Sequence, residues 1–214
     1  MQAPGTRPVQ APKVRHEPRA SGVGTDRGRS RYWVIGSAAL VVIVIASVLG
    51  ATLLGGGKAN REALAAAGCV QQTFPQQGRQ HVPELPKDYK YNSFPPTSGN
   101  HFPVPAIWNI YEAPVEEIRL VHNLEHGGII VQYGDQVPAG TADAIRAWYA
   151  ASDRSGIIVA PYADLKDKVA FTAWTQLATC PGFSDKAADA FVALHRYKGP
   201  EHYPINLMQP GAQT

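Results

Sequence analysis

GGIIVQYGDQVPAGTADAIRAWYAASDRSGIIVA, residues 127–160, decides the fold. Two short apolar runs, Ile129-Ile130-Val131 and Ile157-Ile158-Val159-Ala160, read as buried strands. Between them Thr141 stands where it can cap a helix, and Ile145, Trp148 and Tyr149 recur at i, i+3 and i+4. Strand, helix, strand over about thirty residues is a parallel crossover unit. Upstream, Pro114 followed by Glu116 and Glu117 predicts a helix over 114–126, which Gly127-Gly128 ends. Downstream, Lys166–Lys168 turns the chain into a third strand, Val169–Trp174, expected to pair with the second as a hairpin. Ser184 then caps a last helix reaching about Tyr197, with Phe191, Val192 and Leu194 on its apolar side. The sum is an α/β domain: a small mixed β-sheet with packed helices.

The segment before this unit has another character. Pro75–Pro114 holds eight prolines in forty residues, which excludes regular helix and confines strands to edges. Tyr89, Tyr91, Phe94, Phe102, Trp108 and Tyr111 make it too aromatic for a solvated linker. It reads as an ordered Pro-rich coat over the α/β half.

Further out, Tyr32–Leu54 runs for 23 residues without a charged side chain. At ~1.5 Å rise per residue that is enough to cross a hydrocarbon core of ~30 Å, so it reads as a transmembrane helix. Residues 1–31 carry seven Lys or Arg against Glu17 and Asp26, a net charge of +5, and basic flanks stay cytoplasmic. The expected organisation is a basic, disordered cytoplasmic tail (1–31), a membrane helix (32–54), a linker with a short helix (55–68), an extracytoplasmic domain (69–205) and a C-terminal tail (206–214). This places the chain in the plasma membrane as a single-pass protein, with the lipid bilayer as its partner through residues 32–54. A cleaved signal peptide fits less well, because its apolar run is usually ~7–15 residues. With 44% apolar and 17% charged residues the chain holds one core. The basic charge belongs to the tail and gives no reason to expect nucleic acid.

Cys69 and Cys180 both fall on the external side, where an oxidising medium permits a disulfide. In the loop-entropy model, closing roughly a hundred residues contributes on the order of 4.7 kcal/mol.

Chemistry must be sought among the external histidines. In Val121-His122-Asn123-Leu124-Glu125-His126-Gly127, a helical spacing of four puts both imidazoles on one face, where they can share a metal ion. The pattern H-x-x-E-H is also that of inverted zinc peptidases, with Glu125 as general base and Glu201 as a downstream carboxylate. Structural hydrogen bonding and proton transfer without a metal are the competing readings of both histidines. Pro95-Pro96-Thr97-Ser98-Gly99-Asn100-His101-Phe102-Pro103 is a second constellation, a rigid turn from which His101 can complete a three-histidine site. Alternatively, its hydroxyls satisfy the turn and His101 packs between prolines. His81 is a weaker candidate, and Met208 matters only for copper. His195 and His202 read as surface residues, and Ser98 lacks the G-x-S-x-G context of a nucleophile.

The order Pro95-Pro96-Thr97-Ser98-Gly99-x-His101-x-Pro103, Tyr111, His122-x-Leu124-Glu125-His126-Gly127, Tyr133 and Thr172-Ala173-Trp174 resembles a bacterial family classed as a domain of unknown function. The resemblance covers roughly residues 60–205. It implies one N-terminal membrane helix and an extracytoplasmic domain, and it carries no activity. From the residue types, the leading expectation is binding of copper or zinc through His101, His122 and His126, with His81 in support. A zinc hydrolase using Glu125, and a metal-free domain that binds an envelope protein or glycan, are the alternatives. Binding is favoured over catalysis.

Overall fold

The computed structural model describes residues 56–212. The expected cytoplasmic tail and membrane helix lie outside the described residues. Among the described residues, no helix is long and apolar enough to cross a membrane.

The domain is a five-stranded mixed sheet flanked by helices. Helix α1 occupies residues 56–66, followed by β1 (Val70–Thr73), α2 (Glu117–Glu125), β2 (Ile129–Tyr133), α3 (Thr141–Ala151), β3 (Ile157–Pro161), β4 (Val169–Ala173), β5 (Gln176–Cys180) and α4 (Asp185–His195). The strand order is β1-β5-β4-β2-β3. β2 and β3 pair in parallel, Ile129 opposite Ile157, as the crossover reading expects.

Strand alternation divides the apolar residues between two faces. Ile129, Val131, Ile157, Val159, Val169 and Phe171 pack with Leu64 of α1, Ile145, Trp148 and Tyr149 of α3, and Ala188, Phe191 and Leu194 of α4. Ile130 and Ile158 face the other way, onto Leu120, Val121 and Leu124 of α2 and onto Trp108, Trp174 and Met208. The Pro-rich segment is ordered over this second face. Trp108 is fully buried, and Asn109–Tyr111 runs along β3, with Tyr111 N donating to Val159 O at 2.8 Å and Val159 N to Asn109 O at 3.2 Å.

Several expectations are corrected. β4 does not form a hairpin with β3; it pairs antiparallel with β2 on one side and with β5 on the other. The 3₁₀ turn Ala163–Leu165 and Lys166, at φ 55°, carry the chain back across β2, where Gly134 N donates to Lys168 O. β1 and β5, antiparallel partners, were not foreseen. α2 starts at Glu117, one turn after Pro114: the first carbonyl to accept from its amides is that of Glu116, bonded by Arg119 N and Leu120 N. Thr141 is the first residue of α3; Gly140 holds the cap position at φ 83°, and no side chain caps it. Ser184 does precede α4, but its hydroxyl makes no capping bond. α4 ends at His195, and Val192 is only half-buried.

Cys69 and Cys180 form a disulfide with a Cα–Cα distance of 4.1 Å, joining the chain just before β1 to the end of β5. Beyond residue 205 the chain continues to pack on the domain: Met208 is buried, and its carbonyl accepts from Gly156 N.

Candidate metal centre

α2 sits between the sheet and the coat, so both of its sides are covered. Every residue from Leu120 to Glu125 is buried. Leu120, Val121 and Leu124 face the apolar cluster, while His122, Glu125 and His126, at i, i+3 and i+4, present polar groups beneath the coat. The helix ends in a Schellman motif: Gly128 N donates to Asn123 O, Gly127 N donates to Leu124 O, and Gly127 takes φ 86°. Asn123 ties the coat down from the same helix. Its Oδ1 accepts from Ala106 N at 2.9 Å, and its Nδ2 donates to Ala106 O at 2.8 Å.

The coat supplies the remaining histidines. His81 and His101 meet in an isolated parallel bridge, with Val82 N donating to His101 O and His101 N to Gln80 O. Phe102 N donates to Ile118 O, which docks the strip on α2. As a result, His81 Nε2 lies 3.3 Å and His101 Nε2 3.0 Å from Glu125 Oε2. His122 is shared between two neighbourhoods: its ring lies 4.8 Å from that of His101 and 4.5 Å from that of His126. His122 Nε2 and His126 Nε2 are 3.1 Å apart, and His126 Nε2 is 3.1 Å from Glu201 Oε2.

Two groups of potential ligand atoms follow, each lying within 4.8 Å of one another: His81, His101, His122 and Glu125, and then His122, His126 and Glu201. Both could hold a metal ion. With Zn–N distances of ~2.0–2.1 Å, tetrahedral ligand atoms stand about 3.3 Å apart, the scale of the separations here. The expected trio is therefore divided, His101 and His126 falling in different groups. Glu125, expected as a base, falls among the ligand atoms, and Glu201 is where the peptidase pattern placed a carboxylate.

Proton positions sharpen this. A carbonyl oxygen only accepts, so His101 Nδ1 donates to Gly99 O at 2.8 Å and His122 Nδ1 donates to Phe102 O at 2.7 Å. Each ring thereby turns its Nε2 toward the cluster, the orientation that outer carbonyls impose on metal-binding histidines. A ring nitrogen of His101 3.0 Å from Glu125 Oε2 needs a proton or a cation between the two. Burial pushes His122 down to about 4, with the Phe102 bond opposing and the neighbouring histidines adding to it. Burial likewise pushes His126 to about 4, against the pull of Glu125. Burial pushes the Glu125 carboxyl up, but the hydrogen bonds and charges of His101 and then His81 outweigh it, and the net direction is down. His122 and His126 are thus held in the neutral form that binds metal.

The other candidates are placed elsewhere. Met208 belongs to the apolar cluster. Ser98 is buried, its Oγ accepting from Gln77 N. His202 is exposed as expected, whereas His195 is half-buried against Phe191. Tyr203 was missed: its ring stacks on His126 at 3.8 Å, an arrangement with no local sequence signal. An apolar groove of about 490 Å³ beside Val104, Ile107 and Tyr111 contains none of the histidines.

Residues 83–206, more than half of the chain, match the family described as protein of unknown function (DUF3105). The chain belongs to that family. Within the DUF3105 match lie His101, His122, Glu125, His126 and Glu201, and His81 lies just before it. No curated protein and no solved structure matches the chain.

Proposed function

We propose that the chain is a single-pass membrane protein whose extracytoplasmic domain binds a transition-metal ion, copper or zinc, through His81, His101, His122 and Glu125. The observation that carries the reading is the convergence of three imidazole nitrogens on one buried carboxylate, with the far nitrogens of His101 and His122 held by carbonyls. Imidazole suits copper and zinc, and a carboxylate completes a four-ligand set. Glu125 serves as a ligand rather than a base, since its Oε2 faces two ring nitrogens, and this favours binding over hydrolysis. The anchor is residues 32–54, with the basic tail in the cytoplasm, the domain outside and the plasma membrane as the location. Partners on the outer side are of the envelope protein or glycan class.

Elemental analysis of the purified full chain tests this. The parent is expected to carry copper or zinc near stoichiometry, and a folded His101→Ala, His122→Ala double variant to lose it. His81→Ala, at a half-exposed position, is expected to keep the fold and weaken binding about 10–100-fold. A parent that takes up neither ion after incubation with both refutes the reading.

A further inference from the structure

We propose that the two ligand groups are successive stations for a single ion: Glu201 and His126 capture it at the surface, and His122 passes it inward to His81, His101 and Glu125. The proposal rests on the metal-centre reading above.

His122 is common to both groups, and its chemistry limits them to one complete set at a time. Nδ1 is committed to Phe102 O, so the ring has one lone pair, on Nε2, and cannot bridge two ions. That same nitrogen lies 3.1 Å from His126 Nε2, so an ion changes partners over a few ångströms without movement of the backbone.

The two stations are unequal. The inner one has His101 and His122 each supported by a carbonyl at Nδ1. In the outer one, His126 Nδ1 is buried and has no hydrogen-bond partner among the described residues. To ligate through Nε2, His126 must carry its proton on Nδ1, and a buried unpaired N–H is unfavourable. The outer group is therefore the weaker and the inner one the resting place.

The outer station is also the open one on the His126 side. Glu201 is 46% exposed, while His126 is almost fully buried. A half-exposed carboxylate attracts a cation and can meet it while it is still hydrated. Backbone bonds hold this carboxylate to the helix that carries His122: Tyr197 N donates to Gly127 O at 2.7 Å, and Glu201 N donates to Glu125 O at 3.2 Å. Gly199 permits the approach, since a side chain there would collide with Glu125 O. His81, also 46% exposed, offers the competing route, directly into the inner group.

Zinc loading of the full chain, and zinc release to a chromophoric chelator, followed by stopped flow, separate the possibilities. Glu201→Gln is expected to keep one zinc per chain with unchanged affinity and to slow both loading and release about tenfold. His126→Gln is expected to do the same. Unaltered rates in Glu201→Gln overturn the proposal, as does loss of the bound zinc in that variant, which would make the outer group the resting place. Two zinc ions per parent chain overturn the shared role of His122. A parent that binds no zinc or copper refutes the metal centre itself and is seen before any rate is measured.

Discussion

Burial keeps the His122 and His126 rings uncharged down to about pH 4, and His195 behaves alike for the same first reason, with Lys198 and Arg61 adding to it. The unfolded chain takes up these protons near the ordinary value of about 6.5. Between about pH 6.5 and 4 the unfolded state therefore binds more protons than the folded one, and stability falls as the pH falls through that window. It is fully present above about 6.5. Thermal melts of the metal-stripped chain from pH 7 to pH 4 are expected to show a steady decline, and a flat profile would contradict the burial of neutral rings. His122 and His126 were legible because four residues make about one helical turn. The partners that decide their proton positions, Gly99 O and Phe102 O, were not, because a backbone carbonyl has no identity in a sequence.

The elements that were legible are those with apolar repeats: β2, α3, β3, β4 and α4 all lie near their expected places. β1 was not, since all four of its residues are exposed and three of them are Gln or Thr. The neighbour of β4 was misjudged because nearness along the chain favours a hairpin, whereas the 3₁₀ turn at Ala163–Leu165 redirects the strand to the far edge of β2. β1 depends on its pairing with β5 and on the disulfide that ties it there. With the cysteines 111 positions apart in sequence, a Cys69→Ser, Cys180→Ser variant is expected to lose about 2–5 kcal/mol in chemical denaturation. Hydrogen exchange in that variant should rise first at Val70–Thr73, and equal protection of all five strands would argue against β1 as the dependent element.

Across the whole molecule, the inner ligand atoms come from residues 81, 101, 122 and 125, so an ion there ties the coat to α2 much as Asn123 does through Ala106. Ligand linkage then predicts stabilisation of about 2.7 kcal/mol at an ion concentration a hundred times Kd. A melting temperature that rises with zinc or copper in the parent, and fails to rise in His101→Ala, is the expected result; equal shifts in both would place the ion elsewhere. The coat explains why the site was only half legible. Pro-rich chain has no period from which to read its path, so the meeting of His81 with His101, and of both with Glu125, belongs to tertiary structure alone. The same coat settles the fate of the sheet's margins. One margin, β3, is occupied by Asn109–Tyr111; the other, β1, is four residues long and anchored by sulfur. Neither offers a long vacant ladder on which another chain could extend the sheet. Copies crowded side by side would therefore find no long free strand of this sheet on which to build a fibre.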